Sequence, residues 1–154
     1  MMKKFMPLLG VVVFAVIFLA GNVCTAFAQE KEKPPLKELC CIAGTYKGFH
    51  KDLPSRTCSE PGKGEFKMEI YQARGCRSKI WGKITDPSGE VMKFEGTVKP
   101  GPGRCCTIEA KAEKPGESVK LKAILCKRGG KWYSKDGKYV HSGGCEGEFE
   151  IKQI

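Results

Sequence analysis

Cysteine placement constrains this chain more than any other feature. Nine cysteines are present. Cys24 lies in an N-terminal apolar segment. The other eight fall as Cys40-Cys41, Cys58, Cys76, then Cys105-Cys106, Cys126 and Cys145. Each half reads as a vicinal pair followed by two single cysteines, with steps of 17 and 18 residues in the first half and 20 and 19 in the second. An even count in a small exported chain implies a disulfide framework, and the repeated spacing makes internal duplication one reading of the architecture.

Export is the expectation from the N-terminus. Residues 1–28 read as a cleaved signal peptide: Lys3 and Lys4 precede an uncharged apolar run from Leu8 to Ala20, and Ala26-Phe27-Ala28 supplies a small-residue cleavage site. The apolar run is shorter than the ~20 residues that span a bilayer. Val23 before Cys24 argues against lipid modification there. The short Lys-Lys leader has a bacterial look, so the expected location is periplasmic or extracellular, with no transmembrane segment after cleavage. Residues 29–39 (QEKEKPPLKEL) are charged and contain Pro34-Pro35, as a flexible lead-in would. Residues 40–154 are then one disulfide-rich β domain.

Without Lys3 and Lys4, the 27 basic residues fall to 25 against 17 acids, a formal charge of +8. The charge favours anionic partners such as a glycan, a lipid headgroup or an acidic protein surface. Solubility alone is the plainer explanation. A chain this size buries only about two-thirds of its unfolded surface, so disulfides would supplement a lean core.

From Cys40 onward the hydrophobic period is two. Phe66, Met68 and Ile70 share one face; Ile80 and Ile84 another; then Met92, Phe94 and Val98; Ile108, Ala110 and Ala112; Val119, Leu121, Ala123 and Leu125; Phe149 and Ile151. Charged residues fill the intervening positions, the signature of half-buried antiparallel strands. Asp86-Pro87-Ser88-Gly89 suits a type I turn and Pro115-Gly116 a type II turn. Arg128-Gly129-Gly130-Lys131 and Asp136-Gly137 are further hairpin signals, and Pro100-Gly101-Pro102-Gly103 makes a corner between the halves. The fold class is all-β: a small antiparallel barrel or sandwich of about eight strands, disulfide-stapled.

Strand parity puts the members of each vicinal pair on opposite faces. Cys106 follows inward Ile108, leaving Cys105 outward; Cys40 follows Ile42 and Tyr46; Cys126 follows outward Lys122; Cys145 follows inward Phe149. Under duplication the pairing repeats within each half. Otherwise Cys40/Cys41 bridge to Cys105/Cys106. About a hundred connectivities are open to eight cysteines.

Catalytic and metal motifs are sparse. There is no CxxC, no CxxCH, no phosphate-binding Gly loop and no GxSxG, so no cofactor or metal is called for. His50 and His141 are a candidate acid–base pair for a secreted phosphodiesterase. Size, eight cysteines, basic charge and two histidines give a superficial similarity to pancreatic-type ribonucleases, but no motif around either histidine supports it. The strongest local cluster is Lys127, Arg128, Lys131, Trp132, Tyr133 and Lys135, with Lys138 and Tyr139 beyond, where cations interleave with aromatics. Arg74, Arg77, Lys79 and Trp81 form a second arc, with Trp81 on the polar parity. Such surfaces stack on sugars or bases while holding an anion; the structural alternative is that Trp132 anchors the core and the lysines solvate an ordinary hairpin.

Ala43-Gly44-Thr45-Tyr46 resembles the Gly-x-Trp-like opening of small calycin-type barrels (lipocalin- and avidin-like), with Tyr in place of Trp. The calycin-like resemblance, at the level of analogy, implies a ligand inside the barrel near Tyr46, Phe66 and Phe94. The expected function is an exported, non-enzymatic ligand- or partner-binding β domain with a basic, aromatic hairpin face, with an interaction or inhibitor module for an envelope polyanion or protein as the rival.

Overall fold

The computed structural model describes residues 40–58 and 60–154. The expected signal peptide, Cys24 and the expected lead-in fall outside the described residues. Eight strands follow one another: β1 (Gly44–Asp52), β2 (Lys63–Gln72), β3 (Lys79–Thr85), β4 (Val91–Pro100), β5 (Cys105–Lys114), β6 (Glu117–Arg128), β7 (Lys131–His141) and β8 (Glu146–Gln153). Each pairs antiparallel with its sequence neighbour, and β8 closes onto β1 to complete a barrel. The described residues contain no helix. The open choice between sandwich and barrel resolves to the barrel, which leaves no unpaired sheet edge.

The alternating pattern maps onto the wall. Tyr46, Met68, Ile70, Ile80, Phe94, Val98, Ile108, Ala112, Leu121, Ala123, Leu125, Phe149 and Ile151 are buried inside, while the lysines and glutamates between them face out. Inward glycines let the wall curve, and each of four lies beneath the ring of its cross-strand partner: Gly48 under Phe66, Gly82 under Phe94, Gly137 under Phe149 and Gly147 under Tyr139. A Cβ at Gly82 would meet the Phe94 ring at 2.8 Å, and one at Gly137 would meet Phe149 at 2.6 Å. The rings fill the space that the missing side chains leave, so curvature and packing are obtained together.

Residues 40–43 cross one end of the barrel. Ile42 is fully buried there, its N–H bonded to Gln72 Oε1 at 3.1 Å and its carbonyl accepting the Tyr46 hydroxyl at 2.5 Å. Gln72 Nε2 donates in turn to the carbonyls of Cys40 and Arg77. Three disulfides gather at this end: Cys40–Cys106, Cys41–Cys76 and Cys105–Cys126. The fourth, Cys58–Cys145, fastens the β1–β2 loop to the β7–β8 turn at the opposite end.

The bonding is neither pattern expected from spacing. Cys40 does bridge to Cys106, but Cys41 and Cys105 each pair within their own half, and Cys58 crosses between halves. Pairing therefore does not repeat. The matched cysteines also occupy unlike places: Cys40-Cys41 precede β1 whereas Cys105-Cys106 open β5, and Cys58 lies in a loop whereas Cys126 lies in β6. Parity does hold for Cys40, Cys105, Cys106 and Cys126: Cys40 and Cys106 are buried, and Cys105 and Cys126 lie together on the outer side.

Asp136-Gly137 is a second correction. It is not a turn. It sits inside β7 at a register irregularity between Ser134 and Gly137. The β7–β8 turn comes later, at residues 142–145, with Gly144 at φ +90°.

Candidate functional site

The two aromatic–basic arcs lie far apart. β3 carries Trp81 and β7 carries Trp132, and four steps around an eight-strand barrel put them on opposite walls. Arg77 and Trp81 therefore do not join the β7 surface. Trp132 is not a surface residue at all. It is 3% exposed, packs inside the barrel, and donates from Nε1 to the Cys41 carbonyl at 2.8 Å. It anchors the crossing segment; the Lys127 ammonium lies 5.7 Å from its ring. Tyr139 is likewise inward, buried, over Gly147.

Arg128, Lys131, Tyr133 and Lys135 do come together, and the structure adds residues from β1, β2 and β8 to them. An open groove of about 1070 Å³ crosses the outer wall, lined by Lys47 and Phe49, Glu65 and Lys67, Glu150 and Lys152, and the β7 residues, with Asp86-Pro87 and Ile154 at its rims. Six basic side chains face three acidic ones. On one side of the groove Lys67, Lys47 and Lys152 are direct cross-strand partners, and Tyr133 continues the row from Lys152. Adjacent strands place these lysines ~4.8 Å apart, and like charges directly opposite destabilise a sheet. Lys67 is paired with Glu69 at 2.9 Å. Lys47 and Lys152 have no ion pair among the described residues. On the other side Phe49, 40% exposed, stands between Glu65 and Glu150.

Of the three residues expected around an internal ligand, Tyr46 and Phe94 have no ligand space beside them, whereas Phe66 is only partly buried. Tyr46 is 0% exposed, so no water-sized void touches it, and Phe94 is buried against Gly82. Burial pushes the Tyr46 phenol well above the usual tyrosine range.

His50 and His141 do not converge. His50 is in register with Phe149 and through it with Gly137, whereas His141 lies four residues further along β7, a displacement of ~13 Å. His50 packs near Phe66 and Tyr139, with ring centroids 6.2 and 6.1 Å away. Its Nε2 is buried without a partner, and burial lowers its pKa. Beside it the Tyr139 hydroxyl donates to Asp52; burial, then that bond, pushes the Tyr139 phenol up. His141 accepts the Gly143 N–H on Nδ1 and so carries its proton on Nε2, donating to Glu117 at 2.5 Å. Two histidines held in separate contacts do not bracket one phosphorus. Asp52, Cys58 and Cys145 lie within metal-like reach of one another, but both sulfurs are spent in a disulfide, so the group offers no thiolate.

No family model matches the chain, and no curated protein does. Solved structures do match. One is EF1p2_mFAP2b bound to DFHBI, which aligns with a TM-score of 0.51 at 12% identity, covering 73% of this chain and 92% of that one. At that identity the likeness speaks for the fold: this chain is a closed, all-β barrel of a kind also seen in that structure.

Proposed function

We propose that this chain is an exported, non-enzymatic binding barrel whose outer groove holds an extended polyanion. The observation that carries the reading is the cross-strand row Lys67–Lys47–Lys152, extended at its β7 end by Lys131, Arg128 and Lys135. Of the three in that row, Lys47 and Lys152 have no ion pair among the described residues; a sheet gains nothing from placing such cations side by side, whereas an anionic chain lying across the strands relieves their repulsion. Phe49, Tyr133 and Ile154 give the groove apolar contact for the polymer's backbone. Four disulfides support an oxidising compartment, periplasmic or extracellular. The structure of a barrel bound to DFHBI supports binding as a use of this architecture. The close packing around Tyr46 and Phe94 favours the wall over that part of the interior as the site.

The test is a titration with long-chain polyphosphate and with polygalacturonate at several salt concentrations. Affinity should fall about tenfold or more between 50 and 300 mM salt, and Lys47→Glu with Lys152→Glu should weaken it by about another order of magnitude. Binding that ignores salt, or that survives the double reversal, would remove the groove from the account.

A further inference from the structure

On the adjoining wall, Tyr71 of β2 and Trp81 of β3 are direct cross-strand partners that both point outward. They are 45% and 39% exposed, with ring centroids 6.5 Å apart and planes inclined by 36°. The core does not need them, because Ile70 and Ile80 already fill the inner face at this level. Two large rings side by side on a wall otherwise made of charged residues form a local apolar patch.

The patch is held rigidly. The Tyr71 hydroxyl donates to Glu69 Oε2 at 2.8 Å. Glu69 is gripped by Lys67 at 2.9 Å and Lys83 at 3.2 Å, and these contacts hold its carboxyl at about 2, well below the usual carboxylate range. Glu95, the partner of Trp81 on its other side, meets Lys79 at 3.6 Å. Each ring therefore has a carboxylate next to it, that of Glu69 held by its contacts and that of Glu95 exposed.

We infer that the Tyr71–Trp81 pair is a stacking platform for neutral pyranose rings of a glycan, a site that adjoins the basic groove at Lys67 but has its own aromatic surface. The C–H face of a pyranose is apolar and suits an aromatic face, while its rim of hydroxyls suits hydrogen-bond acceptors. Glu69 and Glu95 supply those acceptors beside each ring, and Lys79 and Lys83 supply donors. Both carboxylates are ion-paired with lysines, so the platform presents C–H-stacking faces and hydrogen-bonding groups rather than a free charge for a sugar acid to pair with. The ring separation lets neighbouring units of one chain lie on the two aromatics together.

The experiment is a titration of the disulfide-intact chain with cellohexaose, chitohexaose and polygalacturonate, read by tryptophan fluorescence. Trp132 is buried in the core, so a surface ligand reports through Trp81. Saturable quenching or enhancement by at least one neutral oligosaccharide is expected, with a dissociation constant on the order of 1 mM. Trp81→Phe should remove the signal, and amide shifts from NMR should show binding weakened about threefold in Tyr71→Phe and about tenfold in Trp81→Ala. Both positions face solvent, so a thermal melt verifies that the variants fold. Lys47→Glu with Lys152→Glu should leave this binding unchanged, which separates it from the groove. No response to either neutral oligosaccharide up to about 10 mM, a response preserved in Trp81→Ala, or polygalacturonate preferred at Trp81 would each overturn the inference.

Discussion

Replacing Tyr46 with Phe deletes one buried hydroxyl and leaves the ring in place. That hydroxyl donates to the Ile42 carbonyl at 2.5 Å, tying β1 to the segment that crosses the barrel end. Removing the donor leaves a buried carbonyl short of a partner, a loss of about 1–3 kcal/mol. About 2 kcal/mol is a large part of the ~5–15 kcal/mol that stabilises a typical domain. Burial of the same hydroxyl predicts a pH signature. The folded-state Tyr46 pKa is raised far above the ordinary value near 10, so between the two the unfolded chain releases a proton that the folded chain keeps. Stability contributed by the neutral phenol is fully present below pH 10 and is lost as pH rises, by about 1.4 kcal/mol at pH 11. The Phe variant has no such loss. Urea unfolding with disulfides intact should therefore show a difference of about 2 kcal/mol at pH 8 that narrows to about 0.6 kcal/mol at pH 11. A cost under about 0.5 kcal/mol at pH 8 would refute the buried bond, and a gap that stays constant would refute the burial of the phenol.

Other perturbations follow from the same geometry. Gly82→Ala would drive a Cβ into the Glu69 carbonyl and the Phe94 ring, with backbone as the obstacle, so a loss of about 3 kcal/mol or more is expected by thermal or urea melt. Cys58→Ser with Cys145→Ser opens the only disulfide at its end of the barrel among the described residues; because the remaining bridges shorten the loop it closed, the entropic cost is about 4 kcal/mol, measurable by urea unfolding. His50 has its pKa lowered by burial, so the unfolded chain takes up a proton first as pH falls; stability should decline below about pH 6.5, and His50→Leu should flatten that decline.

The all-β class and the inward faces of six strands were legible because half-buried strands alternate with a period of two. Trp132 was not, and β7 explains why. Trp132 and Ser134 face in, then Gly137 and Tyr139 face in, so the irregularity between them shifts the parity by one. Strict alternation counted back from inward Tyr139 would turn Trp132 outward. Asp136-Gly137 misled for the same reason: turn-forming residues also suit a bulge. The disulfide partners depend on the crossing of residues 40–43 over the barrel end, a tertiary placement that spacing does not encode. The groove is hidden too, since Lys67, Lys47 and Lys152 become neighbours only through the closure of β8 onto β1.

The most direct measurement is an amide chemical-shift map of the ¹⁵N-labelled, oxidised chain titrated with polyphosphate. Binding at the wall predicts saturable shifts at Lys47, Phe49, Lys67, Lys131, Tyr133 and Lys152, with Tyr46, Phe94 and Ile108 unmoved. Shifts that instead centre on the interior residues, or that scatter over lysines all around the barrel, would contradict the outer groove as the site.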